Sequence, residues 1–122
     1  MTVALVLVGG AVGAPLRYLT DLLVRSRVDS PVPWGTWWVN MVGSFLLGVV
    51  AAAVSLHGAP GWLLTLVGTG FCGSLTTFST FGYETLRLLE DGAWRAAWVN
   101  VVLSLSVGLL SCAAGWAVVA VQ

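Results

Sequence analysis

Four stretches of this chain carry no charged residue, and together they occupy most of its length. They run Met1–Leu16, Ser30–Leu56, Gly58–Tyr83 and Ala96–Gln122. A helix needs about 20 apolar residues to cross the hydrocarbon core of a bilayer. The last three runs meet that length outright. The first meets it when extended to about Val24, with Arg17 and Asp21 paired or near the interface. Only 8% of the 122 residues are charged, against about 25% in an ordinary soluble domain, so a water-facing surface cannot be covered. The expected fold class is all-α integral membrane. Four transmembrane helices, at about residues 2–25, 34–56, 60–90 and 93–120, make one membrane domain over 1–122. The first is read as a retained helix, because a basic n-region and a clear cleavage site are missing.

The connections are short. Arg25 to Pro33 is a polar turn with helix-stopping prolines at Pro31 and Pro33, His57-Gly58-Ala59-Pro60 a second turn, and Glu90-Asp91-Gly92 a third. Most of the seven tryptophans fall near helix ends, as an aromatic belt does. All five basic residues are arginines, and they lie on the side of the first and third turns; the other side has only His57. The positive-inside rule therefore puts those turns in the cytoplasm and both termini outside, in a multi-pass plasma-membrane protein. His57 is read as a solvated turn residue. Four small helices enclose little volume, and the 15 glycines imply close helix contacts. A homodimer or heterodimer surrounded by membrane lipid is expected.

An internal repeat is visible at an offset of 60 residues. Trp38-Val39-Asn40-x-Val42-x-Ser44-x3-Gly48 matches Trp98-Val99-Asn100-x-Val102-x-Ser104-x3-Gly108. Gly10-x2-Gly13-Ala14-x3-Tyr18-x-Thr20 likewise matches Gly70-x2-Gly73-Ser74-x3-Phe78-x-Thr80. The matches include Asn, Ser and Trp, which favours a duplicated two-helix unit (1–60 and 61–120) over coincidence among Gly, Val and Leu. Two such units face the same way across a membrane.

The third run holds the chemistry. Gly68, Gly70 and Gly73 lead into Ser74, Thr76, Thr77, Ser79 and Thr80, with Phe78 and Phe81 three apart. In lipid every backbone polar group needs a partner, so a weak helix centre is tolerated only where protein or a water cavity covers it. The ladder is expected to open near Gly73–Thr77, breaking helix 3 at its middle, with Thr76 and Ser79 spaced as the cap of a restarted helix. Freed carbonyls suit a hard cation, while the positive end of the restarted half favours an anion. Phe78 and Phe81 share a helical face; they either pack or turn electropositive ring edges to an anion.

Other polar residues are more ambiguous. Asn40 with Ser44, and Asn100 with Ser104, lie on small-residue stripes that serve either as interhelical glue or as a hydrogen-bonding track. Arg17 is a candidate functional charge or a snorkelling one, and Glu84 an interfacial acid or a residue at a pathway mouth. Cys72 and Cys112 read as packing residues. With one histidine, no metal-ligand spacing and no nucleotide loop, neither an enzyme nor a nucleic-acid binder is expected.

Three motifs in order resemble the Fluc/CrcB family of fluoride channels. They are Gly9-Gly10-x2-Gly13-Ala14-x2-Arg17-Tyr18, Gly35-Thr36-x2-Val39-Asn40-x2-Gly43-Ser44-Phe45-x2-Gly48, and Gly70-Phe71-x-Gly73-x2-Thr76-Thr77-Phe78-Ser79-Thr80-Phe81. The resemblance covers nearly the whole chain. It implies an antiparallel, dual-topology-type dimer with two fluoride pores lined by both subunits, and a structural, non-transported Na⁺ at the helix-3 break. It makes the Gly73 and Thr76 carbonyls the Na⁺ ligands. It places Phe78, Phe81, Asn40, Ser104, Thr77, Ser79, Arg17 and Glu84 along the fluoride path. Asn100 departs from the pattern, standing where members often carry tyrosine. The arginine asymmetry fits poorly with one chain inserting both ways, which suggests a second subunit of opposite bias. The expected function is passive export of fluoride from the cytoplasm, lowering its toxicity. The alternative, a small multidrug-resistance-type proton-coupled exporter, is opposed by the absence of glutamate from helix 1.

Overall fold

The structure, a computed structural model, describes residues 1–30 and 33–122. Pro31 and Val32, in the first expected turn, lie outside the described residues. The described residues are mostly helical, and no strand occurs among them. In chain order the elements are α1 (Thr2–Arg27), α2 (Trp34–His57), a π-helical segment (Leu64–Cys72), α3 (Gly73–Leu75), α4 (Ser79–Glu90) and α5 (Trp94–Ala120). Of these, α1, α2 and α5 are long and apolar enough to cross a membrane. The chain is a multi-pass membrane protein.

Small residues decide the packing. A Cβ on Gly9 would collide with the Leu66 carbonyl oxygen and the Phe71 nitrogen, and one on Gly13 with the Phe71 carbonyl oxygen. Backbone therefore lies against backbone where α1 crosses the π segment. The second close crossing, α2 on α5, is made the same way: Gly48 faces the Cys112 carbonyl, and Gly115 faces that of Phe45. With lipid as apolar as leucine, such close approach supplies the van der Waals contact that holds membrane helices together. Large apolar side chains point outward instead, Leu7, Leu109 and Leu110 among them. The buried apolar residues are mostly small or of medium size, such as Ala52, Cys72 and Ala97.

Local chemistry closes the elements. Gly58, with φ of 65°, ends α2 in the left-handed region open to glycine, and Gly92 (φ 76°) turns the chain between α4 and α5. The His57 ring is exposed, yet its Nε2 lies 3.1 Å from the Val119 carbonyl oxygen and so ties the ends of α2 and α5. Asp21 pairs with Arg25 at 3.1 Å rather than with Arg17. Both partners follow the i, i+4 rule, and Arg17 is drawn elsewhere.

Candidate functional site

The helical path from Leu64 stops at Leu75 and restarts at Ser79. Several of the backbone groups this leaves over find new partners. Thr76 N–H still donates to the Cys72 carbonyl at 2.9 Å, and the Thr76 hydroxyl donates to the same oxygen at 2.8 Å. Thr76 then turns extended, with ψ of 162°. Thr77 N–H, which an unbroken α-helix would direct to Gly73, donates to Asn40 Oδ1 at 2.8 Å. In return Asn40 Nδ2 donates to the Thr77 carbonyl at 3.1 Å. One side-chain amide thus replaces a backbone strand partner on both sides of a single residue. The restart is capped by Thr77, whose Oγ1 accepts from Thr80 N–H at 3.2 Å. The expected cap, Thr76, is spent on Cys72.

Arg17 reaches across from α1 and its Nη1 donates to the Thr76 carbonyl at 3.3 Å. The half-buried guanidinium is therefore a cation set at the break.

Two concavities adjoin this point, and a third lies farther along the bundle. The first, about 300 Å³, is lined by Asn40, Ser44, Gly73, Thr76, Thr77, Phe78 and Ser104. Its floor is small residues and hydroxyls; its rim is Phe78, whose ring is 78% exposed. Phe78 and Phe81 stand 5.5 Å apart with rings tilted by 47°. The second, about 150 Å³, contains Arg17, Asp21, Thr36, Thr77 and Thr80. Thr77 borders both. The third, about 380 Å³, lies at the end where the first and third turns meet, and carries Asp21, Asp29, Glu84 and Asp91 with Arg25 and Arg87. Thr36 Oγ1 donates to Glu84 Oε1 at 3.1 Å, while Glu84 Oε2 is buried without a partner among the described residues.

Asn40, Ser104, Thr77, Phe78, Gly73 and Thr76 are thus brought together, and Arg17 joins them through the Thr76 carbonyl. Phe81 meets them through the Phe78 ring. Ser79 is exposed, with only a long 3.4 Å approach to the Thr77 hydroxyl. Glu84 stands apart, in the charged end cavity. Sequence reading overlooked Thr85, gave Trp37 to the aromatic belt, and quoted Thr36 and Thr80 only within motifs. The signal for Thr85 was its place one turn beyond Phe81, where its hydroxyl back-bonds to the Phe81 carbonyl at 2.8 Å. Trp37 had been grouped with the aromatic belt, but its indole N–H donates inward to Asn100 Oδ1 at 2.7 Å.

The family model described as CrcB-like protein, Camphor Resistance (CrcB), matches residues 4–116. The chain belongs to the CrcB family. It is 57% identical over 109 residues to the "Fluoride-specific ion channel FluC 1" of Nocardia farcinica (strain IFM 10152), covering 89% of this chain and 74% of that one. Against the protein of the same name from Frankia casuarinae it is 51% identical over 116 residues, covering 91% and 90%. The "Fluoride-specific ion channel FluC" of Shewanella baltica (strain OS185) is 47% identical, covering 86% and 85%. No relative named here is an enzyme.

Proposed function

We propose that this chain is a subunit of a fluoride-selective channel, through which fluoride leaves the cytoplasm down its electrochemical gradient and so loses its toxicity. The observation that carries the reading is the Asn40–Thr77 pair. It holds a helix open at the base of a hydroxyl-lined groove, in a chain whose relatives are named fluoride channels. Fluoride is small and strongly hydrated, so its path has to replace water with closely placed donors. Ser104 Oγ, held only by a long 3.3 Å bond to Asn100 Oδ1, is one such donor. The Ser79 hydroxyl is another, while the Thr77 hydroxyl lines the path with its proton given to Thr80 Oγ1 at 3.1 Å; the electropositive edges of Phe78 and Phe81 complete the set. Arg17 stands at the break beside this path, and Glu84 toward its end.

The groove has one wall, and Phe78 projects from it. A second subunit, inserted antiparallel with four spanning helices like the first, supplies the opposite wall in this reading. Homodimer and heterodimer differ in outcome: robust fluoride conductance from this chain expressed alone rules out an obligate partner.

The donors at the break fit a structural Na⁺. The Gly73 carbonyl has lost its usual α-helical donor to Asn40, and the Thr76 carbonyl, approached by Arg17 Nη1 at 3.3 Å, keeps a second lone pair, so the two present hard oxygens. Two oxygens are an incomplete shell, so the same pair from the second subunit would have to complete it. The ion would fix the two breaks against each other without itself moving. Exchange of Na⁺ for N-methylglucamine is expected to lower the melting temperature of the purified dimer, and an unchanged melting curve removes the ion from the account.

Fluoride efflux from proteoliposomes, with chloride and proton-coupled substrates as controls, tests the whole reading. If fluoride does not move, the channel assignment fails.

A further inference from the structure

Asn100 is completely buried, and it is the largest side chain in that condition. Its amide orientation follows from chemistry: an indole N–H can only donate, so the atom 2.7 Å from Trp37 Nε1 is the carbonyl oxygen. The amide nitrogen therefore faces Thr85 Oγ1, also at 2.7 Å. Having accepted from Asn100, the Thr85 hydroxyl has its own proton free for the Phe81 carbonyl at 2.8 Å. Each proton in this chain of bonds has one direction. It runs from α2 through α5 into α4 and ends on the backbone of a residue that carries a pathway ring.

That end-point matters because α4 has few other anchors. It packs mainly on α5. Glu84 ties it to Thr36, and the Thr77 cap fixes its first turn. Rotation of this short helix about its axis would swing Phe81 away from Phe78. The Trp37–Asn100–Thr85 relay is the bond set that opposes such rotation at the level of Phe81.

We infer that Asn100 is a positioning residue for the ion pathway, acting through Thr85 to set the rotation of α4 and hence the placement of the Phe81 ring. Its relevance to fluoride rests on the channel reading above. The side chain itself is sealed from any passing ion. Its effect is on selectivity, because a ring edge a fraction of an ångström out of place no longer replaces fluoride's water.

The test uses the assembled channel with 4-fluorophenylalanine at position 81, read by fluorine NMR, alongside fluoride and chloride flux in proteoliposomes. Thr85→Val removes the hydroxyl and keeps the shape. Trp37→Phe removes the indole donor at the far end of the relay, touching neither α4 nor Phe81. Both are expected to shift or broaden the resonance at position 81 and to lower fluoride-over-chloride selectivity. The drop for Thr85→Val should be about tenfold, corresponding to about 1.4 kcal/mol. Thr85→Ser, which retains the hydroxyl, should restore both readouts. Adding Asn100→Leu to Thr85→Val should move the position-81 resonance little further, since both cut one relay. An unchanged resonance in whichever of Thr85→Val and Trp37→Phe assembles overturns the inference. A moved resonance in a protein that carries no fluoride defeats the channel reading and leaves the positioning role standing.

Discussion

α1 contains a proline and does not break; the segment from Leu64 to Glu90 contains none and does. Pro15 removes a donor from the middle of α1 and still the helix runs from Thr2 to Arg27. Sixty residues on, the equivalent position is Leu75, and the chain stops being helical directly after it. The difference lies outside both segments. In a membrane a helix opens only where something else takes its backbone groups. Thr77 is offered an amide by Asn40 on both of its sides, and the Thr76 carbonyl is offered the Arg17 guanidinium. Among the described residues, no comparable neighbour addresses the backbone of α1 around Pro15. The break is made by its neighbours as much as by its own sequence.

The largest effect is expected where the two segments touch. Gly9→Val puts a branched side chain where a single Cβ already meets the backbone of Leu66 and Phe71. Backbone cannot rotate aside as a side chain can, so the crossing has to separate, at a cost of at least about 3 kcal/mol. Loss of the monodisperse species on size exclusion and a collapsed melting temperature are expected. Gly70→Ala attacks the same crossing from the other side. Its Cβ would lie 3.0 Å from the Val6 carbonyl oxygen and 3.1 Å from Gly9 Cα, and a milder loss is expected.

Next comes the amide itself. Asn40→Leu keeps the branch at Cγ and deletes both bonds to Thr77. At about 1 kcal/mol for each bond, fluoride flux should fall about 30-fold, with the assembly retained. Asn40→Asp keeps an acceptor for the Thr77 N–H but no donor for its carbonyl, and should fall between. Equal flux in wild type and Asn40→Leu would mean that the break is held open by something other than this pair.

How much of this was legible from sequence varies with the physics involved. The membrane class and all-helical character follow from charge-free runs, because the bilayer permits few alternatives. The weak centre at Gly73–Thr77 was visible for the same reason: glycines and hydroxyls in lipid mark a helix that needs help. Which hydroxyl caps the restart was not visible. Thr76 and Thr77 have the same chemistry, and the choice is made by Asn40, distant in sequence but adjacent in space. The π form of Leu64–Cys72 was hidden as well, since an i→i+5 ladder leaves no mark in residue type. Asn40 and Asn100 occupy matching places in the 60-residue offset, yet one braces a broken backbone and the other is sealed in a side-chain relay. Equivalent position did not carry equivalent partners.

A smaller effect is expected at the rings. Phe78→Ile or Phe81→Ile removes an electropositive edge while leaving the break and its bonds in place. An aromatic contact of this kind contributes about 1 kcal/mol, so fluoride conductance should drop about fivefold with the assembly unchanged on size exclusion. The exposed Phe78 tests the pathway more directly, because its ring helps bury little else in the chain. Normal flux in both variants removes the ring edges from the selectivity argument.

The smallest effect is expected at Gly10, the residue that matches Gly70 in the offset. A Cβ there meets a single atom, Ser74 Oγ at 3.0 Å, and that atom sits at the end of a side chain free to change rotamer. Against this minor adjustment stands a gain. Glycine in a helix interior is less favourable than alanine by roughly 0.5–1 kcal/mol, because its unfolded backbone has more freedom to lose. Gly10→Ala should therefore leave the melting temperature unchanged or slightly raised, while Gly70→Ala lowers it. Two glycines of one repeat position would then differ in sign. If Gly10→Ala proves as damaging as Gly70→Ala, the crossing is tighter around Ser74 than its side-chain contact implies, and α1 is held along its whole glycine face.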